Sequence, residues 1–409
     1  MVSDDSGRRF AGGHADGVAC SAIAATDMAN VTGLTGSTNA TDSTSMAHTA
    51  ERGRETDTMA GKTGMTIGIV GLGLIGGSLA RHLAANGYRV IAWNHRPHPY
   101  EQARRDGIVC VDSLEELAGH PGARPNLIVL CNPLKVMPQM LSRLAPVIDR
   151  TATTLTDVGS VKALVRQQVV AAGLGDCYVG AHPMTGTERS GFEASDPNLF
   201  DHALWAITVD ESTDYQRFLV VARMITEGCA NRCIVIDDGT HDRAAALISH
   251  MPHVVATALI NELTDNPDRN IAAALAAGSW RDMTRVALTD PQRTRAMVDE
   301  DAENVETLLR HMADRLIAVA DALHDGDDRQ IGEFFAHGQP FRDYKAACVR
   351  ANTQAETPVT MGMPLNSATW RDQLLESARR GEQVTGWRSD AVAVVERRPA
   401  VVSAALARA

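Results

Sequence analysis

Residues 65–78, MTIGIVGLGLIGGS, limit what this chain can become more than any other stretch. An apolar strand with Ile67, Ile69 and Val70 feeds Gly71-x-Gly73-x-x-Gly76, and a helix carrying Ser78, Leu79, Ala80 and Leu83 follows. In that order each glycine has a task. Gly71 takes the tight turn, Gly73 lets the backbone approach a pyrophosphate, and Gly76 lets the helix lie close to the strand. The start of the helix then offers unpaired N–H groups and the positive end of its dipole to the phosphates. Leu74 and Ile75 belong to the same loop. The pattern predicts a dinucleotide site.

At 409 residues the chain exceeds what one core usually serves, so two or three units are expected. A formal charge of -11, spread along the chain, argues against nucleic acid as the main partner. No apolar run reaches the roughly 20 residues of a membrane span, so no membrane partner is expected. The 7 cysteines are scattered, which suits free thiols in a reducing cytoplasm. Residues 1–62 are rich in Ser, Thr, Ala, Gly and Asp and poor in large apolar groups, a composition that predicts disorder. They lack the layout of a secretion signal, and a start codon placed too far upstream is an alternative source.

From residue 65 to about 181, strand and helix patterns alternate: helix at 75–86, strand at 89–93, a capped helix opening at Ser113 with Glu116, strand at 126–131, helix at 134–147, strand at 153–157, helix at 161–171 and strand at 178–181. Strands at 203–209 and 232–236 flank a helix at 215–226. Such alternation predicts an α/β dinucleotide-binding domain over 65–236, built on a mainly parallel sheet with ligands at the carboxyl ends of its strands. From His241 the strands largely stop, and helical patterns at 242–263, 271–277 and 293–324 predict an all-α domain over 237–337. So much apolar helix surface suits a homodimer. Residues 338–409 are less regular, an extension that can form a small strand-and-helix cap.

The end of the second strand bears on the cofactor. An acidic residue there would take the ribose 2′-hydroxyl of NAD; Asn94-His95-Arg96 instead suits the 2′-phosphate of NADP. Asn132, at the end of a later strand, completes the expected cofactor set.

Three further segments are unusually polar for their setting. The first is Asp157-Val-Gly-Ser160-Val-Lys162, at a strand end where a helix begins. Ser160 suits an N-cap, but Lys162, one of only four lysines, places a cation against the helix dipole. The second is His182-Pro183-Met-Thr-Gly186-Thr187-Glu188, which sets a histidine at the mouth of the sheet. The third is His241-Asp242 followed by Ser249-His250-Met-Pro252-His253; on a helix Asp242, Ser249, His250 and His253 fall along or near one face. Metal binding by His250 and His253 is disfavoured, since i,i+3 is not the usual zinc spacing and no third ligand is evident. Substrate contact is the better reading.

With these segments in place, the chain resembles the prephenate/arogenate dehydrogenase family of tyrosine biosynthesis. The likeness rests on the glycine loop, on residues 157–162, 182–188 and 249–253, and on Asp282-Met-Thr-Arg285-Val-Ala, in the family's order over about 65–335. It implies oxidative decarboxylation of a cyclohexadienol with NAD or NADP, NADP being favoured by the missing acidic residue. It also implies that His182 acts as general base, that Ser160 orients the hydroxyl or the imidazole, and that Arg285 holds a substrate carboxylate. Thr187, Glu188, Ser249, His250 and His253 would line the pocket. The likeness leaves prephenate against arogenate open. Two rivals are another NADP-dependent hydroxyacid dehydrogenase and a non-catalytic nucleotide-sensing protein. The first would want a lysine on the helical domain, and none lies between Lys162 and Lys345.

Overall fold

The computed structural model describes residues 64–354 and 356–407; the expectation of disorder over 1–62 lies outside them. Strands β1 (Thr66–Val70), β2 (Arg89–Trp93), β3 (Val109–Cys110), β4 (Leu127–Leu130) and β5 (Thr154–Asp157) form one parallel sheet in the order β3-β2-β1-β4-β5. This is the doubly wound order that places a ligand at the switch between β1 and β4. All five residues of β1 and all four of β4 are buried, as continuous apolar strands covered on both faces must be. Ile67 and Ile69 face one core cluster, while Val70 and Ile128 face the other.

A second sheet begins where the first ends. Leu155 bridges Tyr178 in parallel, and from there β6 (Gly180–Pro183) runs antiparallel to β7 (Leu204–Thr208), which is parallel to β8 (Arg232–Ile236). The expected strand at 178–181 is therefore displaced two residues onward, and His182 lies within it, opposite Ala206. Beyond β8 the tail returns to the same sheet. Strands β9 (Val359–Pro364), β10 (Gln383–Ser389) and β11 (Val392–Arg397) complete the order β6-β7-β8-β10-β11-β9. The Trp370–Arg379 helix between β9 and β10 packs Trp370, tilted, against Tyr215 and Phe218, with ring centroids 4.9 and 4.8 Å apart. Arg223 pairs with Asp390 at 2.7 Å across the same junction.

The helical unit opens with one continuous helix, Asp238–Asp265, whose Ala246–His250 turn is π-helical. Such a bulge shifts the face presented after it and recurs at functional sites. By length and composition this helix is apolar enough to cross a membrane, with mean hydropathy 1.3 over its best window. Its His241, Asp242 and His250 are nevertheless buried against protein polar groups. The helices Arg269–Leu275, Gly278–Thr284, Pro291–Asp299, Ala302–Asp325 and Asp328–His337 follow. The helix expected to run unbroken over 293–324 is interrupted at Glu300 and Asp301, because Asp301 turns inward to a histidine. Leu247, Ile248, Leu275, Leu288, Ile317 and Leu323 all stand exposed on this unit.

Candidate active site

The cofactor loop has the geometry its sequence requires. Gly71 adopts φ +103, and a side chain there would press on the Cys131 carbonyl at 3.0 Å. At Gly76 a Cβ would meet the Gly71 carbonyl oxygen at 2.0 Å and the Cys131 Cβ at 2.7 Å, so the helix can approach the strand only through glycine. Gly73 faces open space, which leaves its backbone free for a pyrophosphate. Beside the loop, Asn132 buries its Oδ1 without a partner, while its Nδ2 donates to the Pro133 carbonyl at 3.1 Å. An orphaned buried acceptor at a strand end and an open glycine both fit a dinucleotide. Leu74 is buried and Ile75 half-buried in the first helical turn.

The three residues at the end of β2 divide their work. Asn94 is buried, its Oδ1 accepts from Leu72 N at 2.9 Å and its Nδ2 donates to the Arg96 carbonyl at 2.8 Å. Its amide is thus spent on bracing the glycine loop. His95 and Arg96 are exposed, with no ion pair among the described residues. The side chains of His95 and Arg96 are thus open to solvent beside the loop, while that of Asn94 is turned inward.

The catalytic candidates converge from four elements. His182 in β6 sets its Nδ1 2.9 Å from Nε2 of His241, and Nδ1 of His241 lies 2.7 Å from Oδ1 of Asp242. Asp242 also accepts from the backbone N–H groups of Lys162 (2.7 Å) and Ala163 (2.9 Å), the first turn of the Ala163–Ala171 helix. The cap expected of Ser160 is therefore supplied by a carboxylate from another helix, and the Ser160 hydroxyl has no hydrogen-bond partner among the described residues. Lys162 explains its own misfit with the dipole by turning inward. It is fully buried, with Nζ paired to Asp157 Oδ2 and donating to the Ala181 carbonyl at 2.8 Å, while Tyr178 donates to Asp157 Oδ1 at 2.7 Å. Burial pushes the Lys162 amine below its usual range, and the Asp157 carboxylate opposes this.

Burial also holds the His182 imidazole well below its ordinary range, helped by His241, by the Lys162 cation and by His250. At neutral pH it is the uncharged, proton-accepting form. Asp242 is pulled upward by burial, yet hydrogen bonds from His241, Lys162 and Ala163 leave it below the ordinary carboxylate value.

On the helical side, His250 is fully buried. Its Nδ1 lies 2.7 Å from Asp301 Oδ2, Asn304 donates to the other oxygen of Asp301 at 2.8 Å, and its Nε2 has no partner. His253 is half-buried with Nδ1 unpartnered, and burial lowers its basicity, with further contributions from His250, Arg285 and Arg293. Asp242 and His250 thus point to different partners, and the π turn between them is the reason that one straight helical face does not describe the segment. Ser249 is half-buried. Arg285 is exposed and forms no ion pair with any described residue, so it is not consumed by a surface salt bridge. Arg293 donates to the carbonyls of Glu188 (3.1 Å) and Arg189 (2.8 Å), and so ties the loop carrying Thr187 and Glu188 to the helical unit. The Glu188 side chain itself is exposed. The sequence reading passed over Asp301; an Asp just before Ala302-Glu303 is a helix-start signal that would have exposed the break.

Residues 79–235 match the family described as prephenate dehydrogenase, nucleotide-binding domain, and residues 237–337 its dimerization domain. A prephenate dehydrogenase of Lactococcus lactis is 29 % identical over 279 residues, 67 % of this chain and 75 % of that one. The structure of prephenate dehydrogenase from Aquifex aeolicus in complex with hydroxyphenyl propionate and NAD+ is 26 % identical with TM-score 0.61, covering 68 % of this chain and 97 % of that one. A structure from Corynebacterium glutamicum assigned as a prephenate dehydrogenase is 30 % identical with TM-score 0.66, covering 78 % of this chain and 97 % of that one. By these matches, in both halves and over nearly the whole of the solved relatives, the chain belongs to the prephenate dehydrogenase family.

Proposed function

We propose that the protein oxidises prephenate or arogenate with NAD(P), releasing carbon dioxide and giving 4-hydroxyphenylpyruvate or tyrosine. The observation that carries the reading is His182: a half-buried, uncharged imidazole on a sheet strand, braced by His241 and Asp242. When bound, the nicotinamide supplies the acceptor for the hydride on the ring carbon that bears the hydroxyl. His182 draws off the hydroxyl proton as that carbon becomes a carbonyl, a general-base role. Loss of the ring carboxylate as carbon dioxide then sends its electron pair through the ring to the oxygen, and His182 returns the proton to the phenolate. Aromatisation makes the sequence one-way.

Ser160, whose hydroxyl is free, orients the substrate hydroxyl. Arg285 holds a substrate carboxylate through its planar guanidinium. The bare Nε2 of His250 and Nδ1 of His253 offer polar contacts, with Thr187, Glu188 and Ser249 at the margin. Gly71, Gly73, Leu74, Ile75, Gly76 and Asn132 would hold the dinucleotide. His95 and Arg96, exposed at the end of β2 where no acidic side chain stands, favour NADP over NAD. A kcat/KM no higher with NADP than with NAD would contradict that preference. The exposed apolar residues of the helical unit support a homodimer joined through it, and the protein is assigned to the cytoplasm.

His182→Asn tests the core of this reading. It is expected to lower kcat by roughly 100- to 10,000-fold with substrate binding retained. A variant that turns over nearly as fast as the wild type would overturn it.

A further inference from the structure

We propose that Asp242 and His241 are positioning residues that fix the ring tautomer of His182, leaving its Nε2 as the proton acceptor; this rests on the reading of His182 as the base. Asp242 receives the backbone N–H groups of Lys162 and Ala163 on its two oxygens, at 2.7 and 2.9 Å, and sits at the positive end of the Ala163–Ala171 helix. Both contacts and the helix terminus favour the charged form over the acid, and the carboxyl is held below its ordinary range, so Asp242 is an ionised carboxylate.

The Nδ1 of His241, 2.7 Å from that carboxylate, must then carry a hydrogen. In a neutral ring this leaves His241 Nε2 as a lone pair. Its neighbour at 2.9 Å is Nδ1 of His182, so the hydrogen between the two rings belongs to His182. A neutral His182 with Nδ1–H has a bare Nε2.

The arrangement does two things with one string of contacts. In the resting enzyme it selects which nitrogen is basic. As His182 gains a proton, it stabilises the imidazolium through a polarisable ring backed by a carboxylate, while burial, with the neighbouring His241 and Lys162, keeps the resting ring neutral. His241 and Asp242 are both almost wholly buried, so no water competes for these positions.

The test is Asp242→Leu, which removes every acceptor from His241 Nδ1, read first by long-range 1H–15N correlation spectra of the histidine rings in the full chain, with neither substrate nor cofactor present. Asparagine would not serve, because its oxygen can stay where Asp242 Oδ1 accepts from both Lys162 N–H and His241. Without the carboxylate neither ring is held to one tautomer, so the expected result is loss of the exclusive Nδ1–H signal of His182 to a mixture, with kcat down roughly 100-fold or more and KM within a few-fold. An exclusive Nδ1–H tautomer in both proteins, or Nε2–H in the wild type, would overturn the proposal.

Asp242 also caps a helix, so Asp242→Leu can fail to fold. In that event His241→Gln, which keeps an acceptor for His182 Nδ1–H, is compared with His241→Leu, which has none. Gln is expected to retain the Nδ1–H signal and to exceed Leu in kcat by about 10-fold; equal kcat values and equal spectra would overturn the proposal. The ring spectra need no substrate. Failure of the protein to oxidise prephenate or arogenate would therefore count against the proposed function alone.

Discussion

Asp301 shows how a single side chain can join parts of the chain that the sequence keeps apart. It breaks the apolar helical run between Asp299 and Ala302 and turns its carboxylate to His250, 51 residues away. A carboxylate on Nδ1 puts the hydrogen there and leaves Nε2 bare in the buried interior, where it has no protein partner. Removing one partner of a charge-assisted buried hydrogen bond costs about 1.5–3 kcal/mol. Asp301→Ala is accordingly expected to lower kcat/KM by roughly 10- to 100-fold, with His182 chemistry otherwise intact. Steady-state kinetics check this, and an unchanged kcat/KM would show that His250 needs no orientation. Much of the residue-scale picture was legible: Lys162 was conspicuous because its charge opposed the local dipole, and the structure resolves the conflict by burying it on Asp157. Ser160 suited an N-cap by its sequence, and the structure gives that role to another residue. The group that replaces it as cap, Asp242, lies 80 residues beyond Lys162, and no local spacing reports such a distance.

At the scale of elements, the glycine loop was readable because strand, turn and helix are contiguous and each glycine has its own steric reason. The tail was not readable for the opposite reason. Strand β9 alternates Val359, Met361 and Met363 with Thr360, Gly362 and Pro364, but it is short and mostly exposed, and β10 finds its neighbour β8 some 150 residues earlier. What secures this part is partly electrostatic. Glu382 is buried between Arg380, Arg397 and Ser377; burial raises its carboxyl, yet their hydrogen bonds hold it down at about 2. Relative to an ordinary value of 4.5 this amounts to about 3 kcal/mol, which solvent around the half-exposed arginines reduces to about 1–2 kcal/mol. A depressed carboxyl stabilises the fold above its unfolded value, and the contribution is lost as pH falls from about 4.5 toward 2. Glu382→Gln should therefore speed hydrogen exchange in β9–β11 at pH 7, and the difference from wild type should shrink below pH 4. A difference that stays constant down to pH 2.5 would contradict this account.

In the whole molecule, the candidate site lies where three parts of the chain meet. The first sheet supplies the glycine loop and the Asp157–Lys162 pair, the second sheet supplies His182, and the helical unit supplies His241, Asp242, His250 and Arg285. The tail adds a brace from outside: Arg371 donates to the Asp210 carbonyl at 3.0 Å, and the Asp210 carboxylate pairs with Arg166, which also pairs with Asp238 at the start of the helix bearing His241. Organisation into an α/β part and a helical part was legible from period alone. The way the tail returns to the first part was not, because sheet order is a property of pairing and not of composition. The most direct test of the account is an assay of the purified full chain with prephenate or arogenate, each with NAD or NADP, following reduced nicotinamide and released carbon dioxide together. The account predicts turnover with at least one substrate, carbon dioxide and reduced nicotinamide appearing one to one, and the higher kcat/KM with NADP. Folded protein that binds the dinucleotide yet is silent in all four combinations, or that reduces it without releasing carbon dioxide, would contradict the proposed reaction.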